Sequence, residues 1–272
     1  MSKNNSFGAL CAELLARIHD RHPLVHHITN YVVMNDTANL TLALGALPVM
    51  AHAKEEVAEM VAAAGALVLN PGTLSPEWVE AMLIAARRAN ELGLPVIYDP
   101  VGVGATSLRN QTGELFLSTL RLAVVRGNSG EVGALAGAGG QVKGVESIQD
   151  VNNPTQVARD LAYKYSTVVA ITGQRDILSD GRRTLGVDNG DIMLKTITGS
   201  GCMATSAVAA FCAVESDALI ASAAALACYG LAAQAATKRA KGPGSFRAEL
   251  LDSVYQLSPE QVESGVRIVE ME

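Results

Sequence analysis

The sequence predicts an α/β fold with three layers, in which helices cover both faces of a mostly parallel central sheet. Short runs rich in β-branched residues alternate with alanine-rich helical patterns over most of the 272 residues. Several of these runs are apolar throughout, which is typical of strands covered on both faces. Repeated succession of strand, helix and strand indicates crossover connections between parallel strands.

Five strands and three helices carry this prediction. The predicted strands are Leu24–Thr29, Ala66–Asn70, Pro95–Asp99, Leu122–Arg126 and Thr167–Thr172. The predicted helices between them are Lys54–Ala64, Pro76–Leu92 and Thr155–Tyr165. Ser75 and Pro76 form a favourable helix start, because serine caps free amides and proline suits the first turn.

The pattern changes after Thr172. Asp176–Asp180 and Arg183–Val187 flank a short turn and predict an antiparallel hairpin at one edge of the sheet. Residues 202–240 are predicted to be almost entirely helical. The sequence contains neither a linker rich in Pro, Gly and Ser nor an internal repeat, so we expect a single domain over residues 1–272.

Composition argues against several classes of partner and location. Aromatic residues make up only 4% of the chain and the net charge is −6, so we expect no nucleic-acid partner. The most apolar stretch, residues 204–228, is interrupted by Glu215, Ser216 and Asp217, which predicts two buried helices and no membrane span. The four cysteines lack metal-binding spacing and the amino terminus is polar. We therefore expect reduced thiols in a cytoplasmic protein without a signal peptide.

Polar or glycine-bearing segments follow four of the predicted strands. Open parallel sheets bind ligands beyond the carboxyl ends of their strands. We therefore expect these segments to converge on one rim together with residues 198–202. The four segments are Asn70–Thr73, Asp99–Gly102, Arg126–Asn128 and Thr172–Gly173.

A glycine-rich loop, Thr198-Gly199-Ser200-Gly201-Cys202, precedes the alanine-rich helical segment Met203–Val214. Glycines let a backbone approach a ligand, and the free amides and dipole of a helix start form an anion site. Such a site suits phosphoryl transfer, in which catalysis is mostly positioning and charge stabilisation. The spacing fits neither the Walker loop nor the dinucleotide-binding fingerprint. The alternative is a loop that only starts a helix.

Cys202 lies at the predicted start of this helix. A helix amino terminus can lower the pKa of a thiol below its usual value of about 8.5, so an ionised Cys202 is one hypothesis. A small buried side chain that packs within the helix is the other, and it is the interpretation we favour for Cys212 and Cys228.

Five blocks of sequence resemble the hydroxyethylthiazole kinases of the ribokinase-like superfamily, in order from about residue 24 to residue 245. Members of the superfamily carry a Gly-x-Gly-Asp motif, and Cys202 stands here in place of the aspartate, as is characteristic of the hydroxyethylthiazole kinases. The five blocks are His26–Asn35, Ala46–Ala51, Asp99–Thr106, Arg126–Glu131 and Thr196–Met203.

The resemblance implies a ribokinase-like fold without a lid domain, assembled as a homotrimer with sites at subunit interfaces. It also implies ATP-dependent phosphorylation of the hydroxyl of 5-(2-hydroxyethyl)-4-methylthiazole in thiamine salvage, with Mg²⁺ as cofactor. The implied residues are Gly199, Ser200, Gly201 and Cys202 for catalysis, Asn30, Met50 and Gly199 for the thiazole alcohol, Arg126 and Thr172 for ATP, and Asp99 and Glu131 for Mg²⁺.

Physical chemistry favours these roles but leaves structural interpretations open. Mg²⁺ prefers one or two carboxylates plus phosphate oxygens and water, and arginine offers phosphate a fork of donors. Glu131 could instead be a helix-start acid, and Asp99 a turn residue. Arg126 could be a surface charge and Met50 a core residue. Two other functions stay open, a related kinase for a pyrimidine alcohol or a sugar, and a non-catalytic nucleotide sensor.

Overall fold

In the part of the chain that the structure describes, the central sheet has nine strands, and two further short strands pair with each other. These elements come from a computed structural model, which describes residues 3–137, 142–143, 146–147 and 153–272. The strands are β1 (Leu24–Ile28), β2 (Leu47–Val49), β3 (Ala66–Leu69), β4 (Val96–Tyr98), β5 (Val124–Asn128), β6 (Val142–Lys143), β7 (Glu146–Ser147), β8 (Val168–Thr172), β9 (Asp176–Ser179), β10 (Thr184–Val187) and β11 (Ile268–Met271).

Helices separate most of these strands along the chain. They are α1 (Lys3–Arg21), α2 (Met34–Ala43), α3 (Val57–Ala62), α4 (Pro76–Leu92), α5 (Ser107–Thr119), α6 (Ser129–Leu135), α7 (Pro154–Tyr165), α8 (Ser200–Cys212), α9 (Ala218–Thr237), α10 (Pro243–Tyr255) and α11 (Pro259–Gly265). A short 3-10 helix, Ile192–Thr196, precedes the glycine-rich loop.

The strand order across the sheet is β11-β10-β9-β8-β5-β4-β3-β1-β2. All neighbours from β2 to β8 pair in parallel. Beyond β8 the pairs are antiparallel. The five strands that the sequence predicts all lie in the parallel part, with ends that differ by no more than two residues. The mostly parallel sheet is thus confirmed.

The predicted hairpin is present as β9 and β10. The prediction that it forms the edge of the sheet is wrong. β11 pairs with β10 in antiparallel register, from Thr184 opposite Met271 to Val187 opposite Ile268. On the opposite side of the sheet, β2 forms the edge. Neither edge strand was predicted, because Pro48 in β2 and Glu270 in β11 interrupt the continuous apolar run that marks a buried strand.

Two apolar clusters lie on the two faces of the sheet. One contains Leu14 of α1, Phe211 of α8 and Leu226 of α9. The other contains Met82 of α4 and Phe116 of α5. Successive side chains of a strand point to opposite faces, and neighbouring strand residues divide between the clusters accordingly. The predicted three layers of helix, sheet and helix are confirmed.

The apolar stretch 204–228 forms most of α8 and the first half of α9, as the sequence predicts. α9 has a mean hydropathy of 1.6 and enough length to cross a membrane by these criteria alone. However, 72% of its most apolar window is buried inside the protein. Its alanines pack closely against α8 and α10, and this packing explains the absence of polar residues on most of its surface.

Candidate functional site

The carboxyl ends of the parallel strands lie along one edge of the sheet, and the start of α8 lies beside them. Hydrogen bonds join the segments after β1, β3 and β4 to α8. Contacts between side chains also join the ends of β5 and β8. The convergence of the predicted strand exits with the glycine-rich loop is therefore observed.

Asn70 is the centre of this convergence. Its Nδ2 donates to Asp99 Oδ2 at 3.2 Å and to Cys202 Sγ at 3.1 Å. Its Oδ1 accepts a hydrogen bond from Asn30 Nδ2 at 2.9 Å. The Asn30 amide also lies 3.8 Å from Cys202 Sγ. The sequence predicts a polar strand exit at Asn70 but not the role of this side chain, for which the only sequence signal is its place after an apolar strand.

The glycine-rich loop forms the first turn of α8. The helix begins at Ser200, three residues before the predicted Met203, and Gly199 precedes it with a left-handed φ of +82°. Glycine adopts this conformation without steric cost. No side chain among the described residues caps the helix start, so the first amides are available to a ligand.

Gly201 makes room for a guanidinium beside this turn. A Cβ added at Gly201 would lie 2.7 Å from Arg126 Nη1, closer than two such groups can approach. Helix amides and the Arg126 side chain thus line the same space. Both attract anions, so the geometry favours an anion site over a loop that only starts a helix.

Arg126 is buried, with only 8% of its surface exposed, so the surface-charge interpretation is wrong. Its Nη2 donates to Thr172 Oγ1 at 2.5 Å, and its Nη1 lies 3.9 Å from Asp99 Oδ2. Its buried Nε has no hydrogen-bond partner in the part of the chain that the structure describes. A buried donor without a partner is costly, and a bound phosphate would satisfy it.

Glu131 starts α6 through a capping box. Its Oε2 accepts from the Asn128 amide at 3.0 Å, and its own amide donates to Asn128 Oδ1 at 3.0 Å. The helix-start interpretation is thus confirmed, but it is incomplete. Glu131 Oε1 also accepts from the Gly102 amide at 2.9 Å, which ties α6 to the loop after β4.

Asp99 and Glu131 form a buried acidic pair. Burial, reinforced by the nearby Asp99, raises the pKa of Glu131 to about 7. Burial also raises the pKa of Asp99, although Arg126 and the Thr205 hydroxyl, which donates at 2.8 Å, oppose this shift. Two carboxyl groups in this environment favour protonation unless a cation balances their charge.

The donor set of this pair suits Mg²⁺ better than a metal that needs a closed protein site. Within residues 3–137, 142–143, 146–147 and 153–272, no group of three or more His, Cys, Asp or Glu side chains could hold a metal. Two carboxyl groups beside an anion site match the preference of Mg²⁺ for few protein ligands, phosphate oxygens and water. The residues present therefore fit this ion.

The hypothesis of an ionised Cys202 is wrong. Burial and the neighbouring Asp99 raise the pKa of the thiol to about 12, although the hydrogen bond from Asn70 partly opposes the shift. The helix start does not overcome these two effects. Cys202 is consequently a neutral thiol at physiological pH, held among the amides of Asn30 and Asn70.

Met50 is not part of this hydrogen-bonded group among the residues that the structure describes. It directly follows β2, the outermost strand, and it is half-buried. The next carbonyl, that of Ala51, accepts from His26 Nε2 at 2.7 Å. The contacts that unite Asn30, Asp99 and Cys202 do not include Met50. Met50 follows the carboxyl end of β2, which pairs in parallel with β1, the strand that leads to Asn30.

Comparison with known proteins agrees with this geometry. The family model described as the hydroxyethylthiazole kinase family matches residues 15–260. A hydroxyethylthiazole kinase from Desulforudis audaxviator is 65% identical over 257 residues, which cover 94% of each chain. The structure of a hydroxyethylthiazole kinase protein from Pyrococcus horikoshii is 43% identical, with a TM-score of 0.89 and coverage of 97% of this chain and 99% of the other.

A more distant structure shares only the fold. A ribokinase-like superfamily protein from Enterococcus faecalis is 14% identical, with a TM-score of 0.63 over 89% of each chain. The ribokinase-like three-layer fold and the resemblance found in the sequence are both confirmed. The chain belongs to the hydroxyethylthiazole kinase family.

Proposed function

We propose that this protein transfers the γ-phosphate of ATP to the hydroxyl of 5-(2-hydroxyethyl)-4-methylthiazole, in thiamine salvage. Family membership supports the thiazole alcohol as acceptor. The observation that carries the chemistry is the meeting of Arg126, the acidic pair and the uncapped start of α8 at one rim. Phosphoryl transfer requires mainly such positioned charges and donors.

The nucleotide phosphates would bind between Arg126 and the first turn of α8. The Arg126 guanidinium would donate to phosphate oxygens beside Thr172, and the amides of Ser200, Gly201 and Cys202 would stabilise charge on the transferring group. Asp99, with Glu131 acting through water, would hold Mg²⁺. The ion would neutralise charge on the phosphates.

The thiazole alcohol would lie on the other side of Cys202, against Asn30, Gly199 and Met50. The neutral thiol of Cys202 cannot accept the hydroxyl proton, since the pKa of the thiol is about 12. In a loose transition state little proton removal is needed early, so alignment of the hydroxyl is the role that fits Cys202.

The test is ATP consumption with a panel of acceptors: the thiazole alcohol, a pyrimidine alcohol, a sugar and no alcohol. Phosphorus NMR identifies the phosphorylated product. We expect turnover with the thiazole alcohol well above that with the other acceptors. Preference for a sugar or a pyrimidine alcohol would assign a related kinase, and nucleotide binding without turnover on any alcohol would assign a nucleotide sensor.

Cys202→Asp is expected to leave kcat unchanged or raise it by up to about tenfold, because an aspartate can accept the proton that the thiol cannot. Steady-state kinetics on the purified variant provide the measurement. Cys202→Ser is the matched control, since it keeps a small neutral group, and we expect it to stay close to wild type. A loss above about a hundredfold in Cys202→Asp, with the fold intact, would show that a neutral group is required.

A homotrimer in the cytoplasm, with sites at subunit interfaces, completes the proposal. Two exposed leucines support an interface at the outer edge of the sheet: Leu47, in β2, is 46% exposed and Leu42, in α2, is 52% exposed. An uncovered edge strand with apolar side chains is a surface suited to association. Met50 follows the same strand, so a second copy bound there would lie beside it. All four cysteines are free, which suits a reducing compartment.

Leu47→Glu is expected to shift the protein from trimer to smaller species and to raise the KM for the alcohol. A charge placed at the edge of β2 opposes burial of that edge. Size-exclusion chromatography with light scattering measures the assembly. Leu92→Glu is the control, because Leu92 is similarly exposed, at 42%, at the end of α4. A wild-type protein that is entirely monomeric would contradict the proposed assembly.

A further inference from the structure

Arg109, in the first turn of α5, binds the backbone of two loops. Its Nη1 donates to the carbonyl oxygen of Val101 at 2.7 Å and to that of Pro71 at 3.1 Å. Its Nη2 donates to the carbonyl oxygen of Gly72 at 2.7 Å. In the part of the chain that the structure describes, this guanidinium has three peptide oxygens as partners and forms no salt bridge.

The two loops bound by Arg109 are those that carry central residues of the site. Pro71 and Gly72 follow Asn70 at the end of β3, and Val101 lies two residues after Asp99 at the end of β4. The hydrogen bond of 3.2 Å from Asn70 Nδ2 to Asp99 Oδ2 spans the same two loops. Arg109 therefore binds the backbone of the same two loops whose side chains, Asn70 and Asp99, form a hydrogen bond within the site.

Glu131 binds the loop after β4 at a second point, because its Oε1 accepts a hydrogen bond from the Gly102 amide. The Val101 carbonyl and the Gly102 amide belong to the same peptide unit. Arg109 and Glu131 thus hold both ends of that unit, one as donor and one as acceptor. Such a peptide has little freedom to rotate, and Asp99 lies two residues before it.

A guanidinium is the side-chain group suited to this geometry. Its donors lie in a fixed plane and can reach several acceptors at once, whereas the lysine ammonium is a point charge on a flexible stem. Hydrogen bonds from a charged donor are also stronger than neutral ones. Arg109 consequently holds the two loops at a defined separation in a way that lysine cannot reproduce.

We propose that Arg109 is a positioning residue for phosphoryl transfer, which fixes Asn70 and Asp99 relative to Cys202 at the start of α8. This inference rests on the proposed kinase function. Arg109 and the three carbonyl oxygens that it binds are called the clamp. The proposed nucleotide contacts Arg126 and Thr172 lie on β5 and β8, outside both loops, and the hydrogen bond that joins these two side chains does not involve the clamp. Loss of the clamp should therefore impair the transfer step more than ATP binding.

Arg109→Ala is expected to lower kcat about a hundredfold, the effect of a small misplacement of reacting groups, and to leave the KM for ATP nearly unchanged. Arg109→Lys should show an intermediate kcat. Millimolar methylguanidinium should restore part of the kcat of Arg109→Ala with saturation, whereas methylammonium should not. Arg88→Ala is the matched control, because Arg88 pairs at the surface of α4 with Glu91 at 2.9 Å, and its kcat should equal that of wild type.

The outcomes separate this inference from the proposed function. A wild-type protein that phosphorylates no alcohol overturns both. If the wild type is active and the kcat of Arg109→Ala stays within about threefold of the wild-type kcat, only the positioning role of Arg109 is overturned, because the expected loss is far larger. A folded variant with a low kcat, a raised KM for ATP and no response to methylguanidinium would show that the whole site is disturbed. This result too would overturn the positioning role of Arg109. If Arg109→Ala does not fold, the kcat and the KM for ATP of Arg109→Lys test the positioning role by the same criteria.

Discussion

Replacing Gly201 with valine is expected to lower kcat/KM by about a thousandfold while the protein stays folded, because the anion site would be filled. A Cβ at this position would lie 2.7 Å from Arg126 Nη1 and 3.3 Å from Arg126 Nη2. The guanidinium can move away, so folding survives. The methyl groups of valine would then occupy the space that phosphate oxygens need beside the helix amides.

Gly244→Val provides a matched control. Gly244 is the second residue of α10, as Gly201 is the second residue of α8, and a Cβ added there meets nothing within 4 Å. Both variants therefore place valine in the first turn of a helix, but only one lies at the proposed site. Steady-state kinetics and thermal unfolding should show normal turnover for Gly244→Val. Near-normal turnover for Gly201→Val would show that the loop has a structural role only.

Asp99→Asn is expected to lower kcat/KM by about a hundredfold or more, and to leave the melting temperature unchanged or higher. The amide keeps an oxygen for Asn70 and Thr205 but loses the charge that Mg²⁺ requires. Burial raises the pKa of Asp99, so the ionised carboxylate is less favourable in the folded protein than in the unfolded chain. A neutral isostere removes that cost at neutral pH.

The pH dependence of unfolding tests the same interpretation with a defined sign. A folded-state pKa above the unfolded value means that the native protein binds more protons, so stability falls as pH rises above about 4. Without nucleotide or divalent cation, Asp99→Asn should show a smaller decline than wild type. Asp160→Asn, at an exposed site on α7, is the control and should match wild type in both activity and stability. Parallel loss of activity and stability in Asp99→Asn would point to a structural role.

The central strands were predictable from sequence because burial on both faces makes each of them a continuous apolar run. The edge strands β2 and β11 lack this signal, and their places depend on pairing with residues far away in the chain. Val187, for example, pairs with Ile268. The sequence therefore predicts the layers and the parallel core but not the edges.

The site was predictable where a local rule applied. The rule for strand ends and the glycine spacing place Asp99, Arg126 and Gly201 on one rim, as observed. The roles of Asn70 and Arg109 depend instead on partners distant in sequence: the Asn70–Cys202 contact spans 132 residues. The hypothesis of an ionised Cys202 was wrong for a related reason. Burial and the Asp99 carboxyl raise the pKa of the thiol, and both arise from tertiary packing, which a rule based on the helix start does not include.

Because Glu131 accepts hydrogen bonds from two backbone amides, few other residues can replace it without loss. Glutamine satisfies most capping boxes as well as glutamate does. Here, however, one side chain accepts from two amides, those of Asn128 and Gly102, and glutamine has only one acceptor oxygen. A mutation that is harmless in an ordinary helix start would leave an amide beside Asp99 unpaired. A change of Glu131 to glutamine would therefore keep all of these contacts satisfied only if the loop after β4 changed as well.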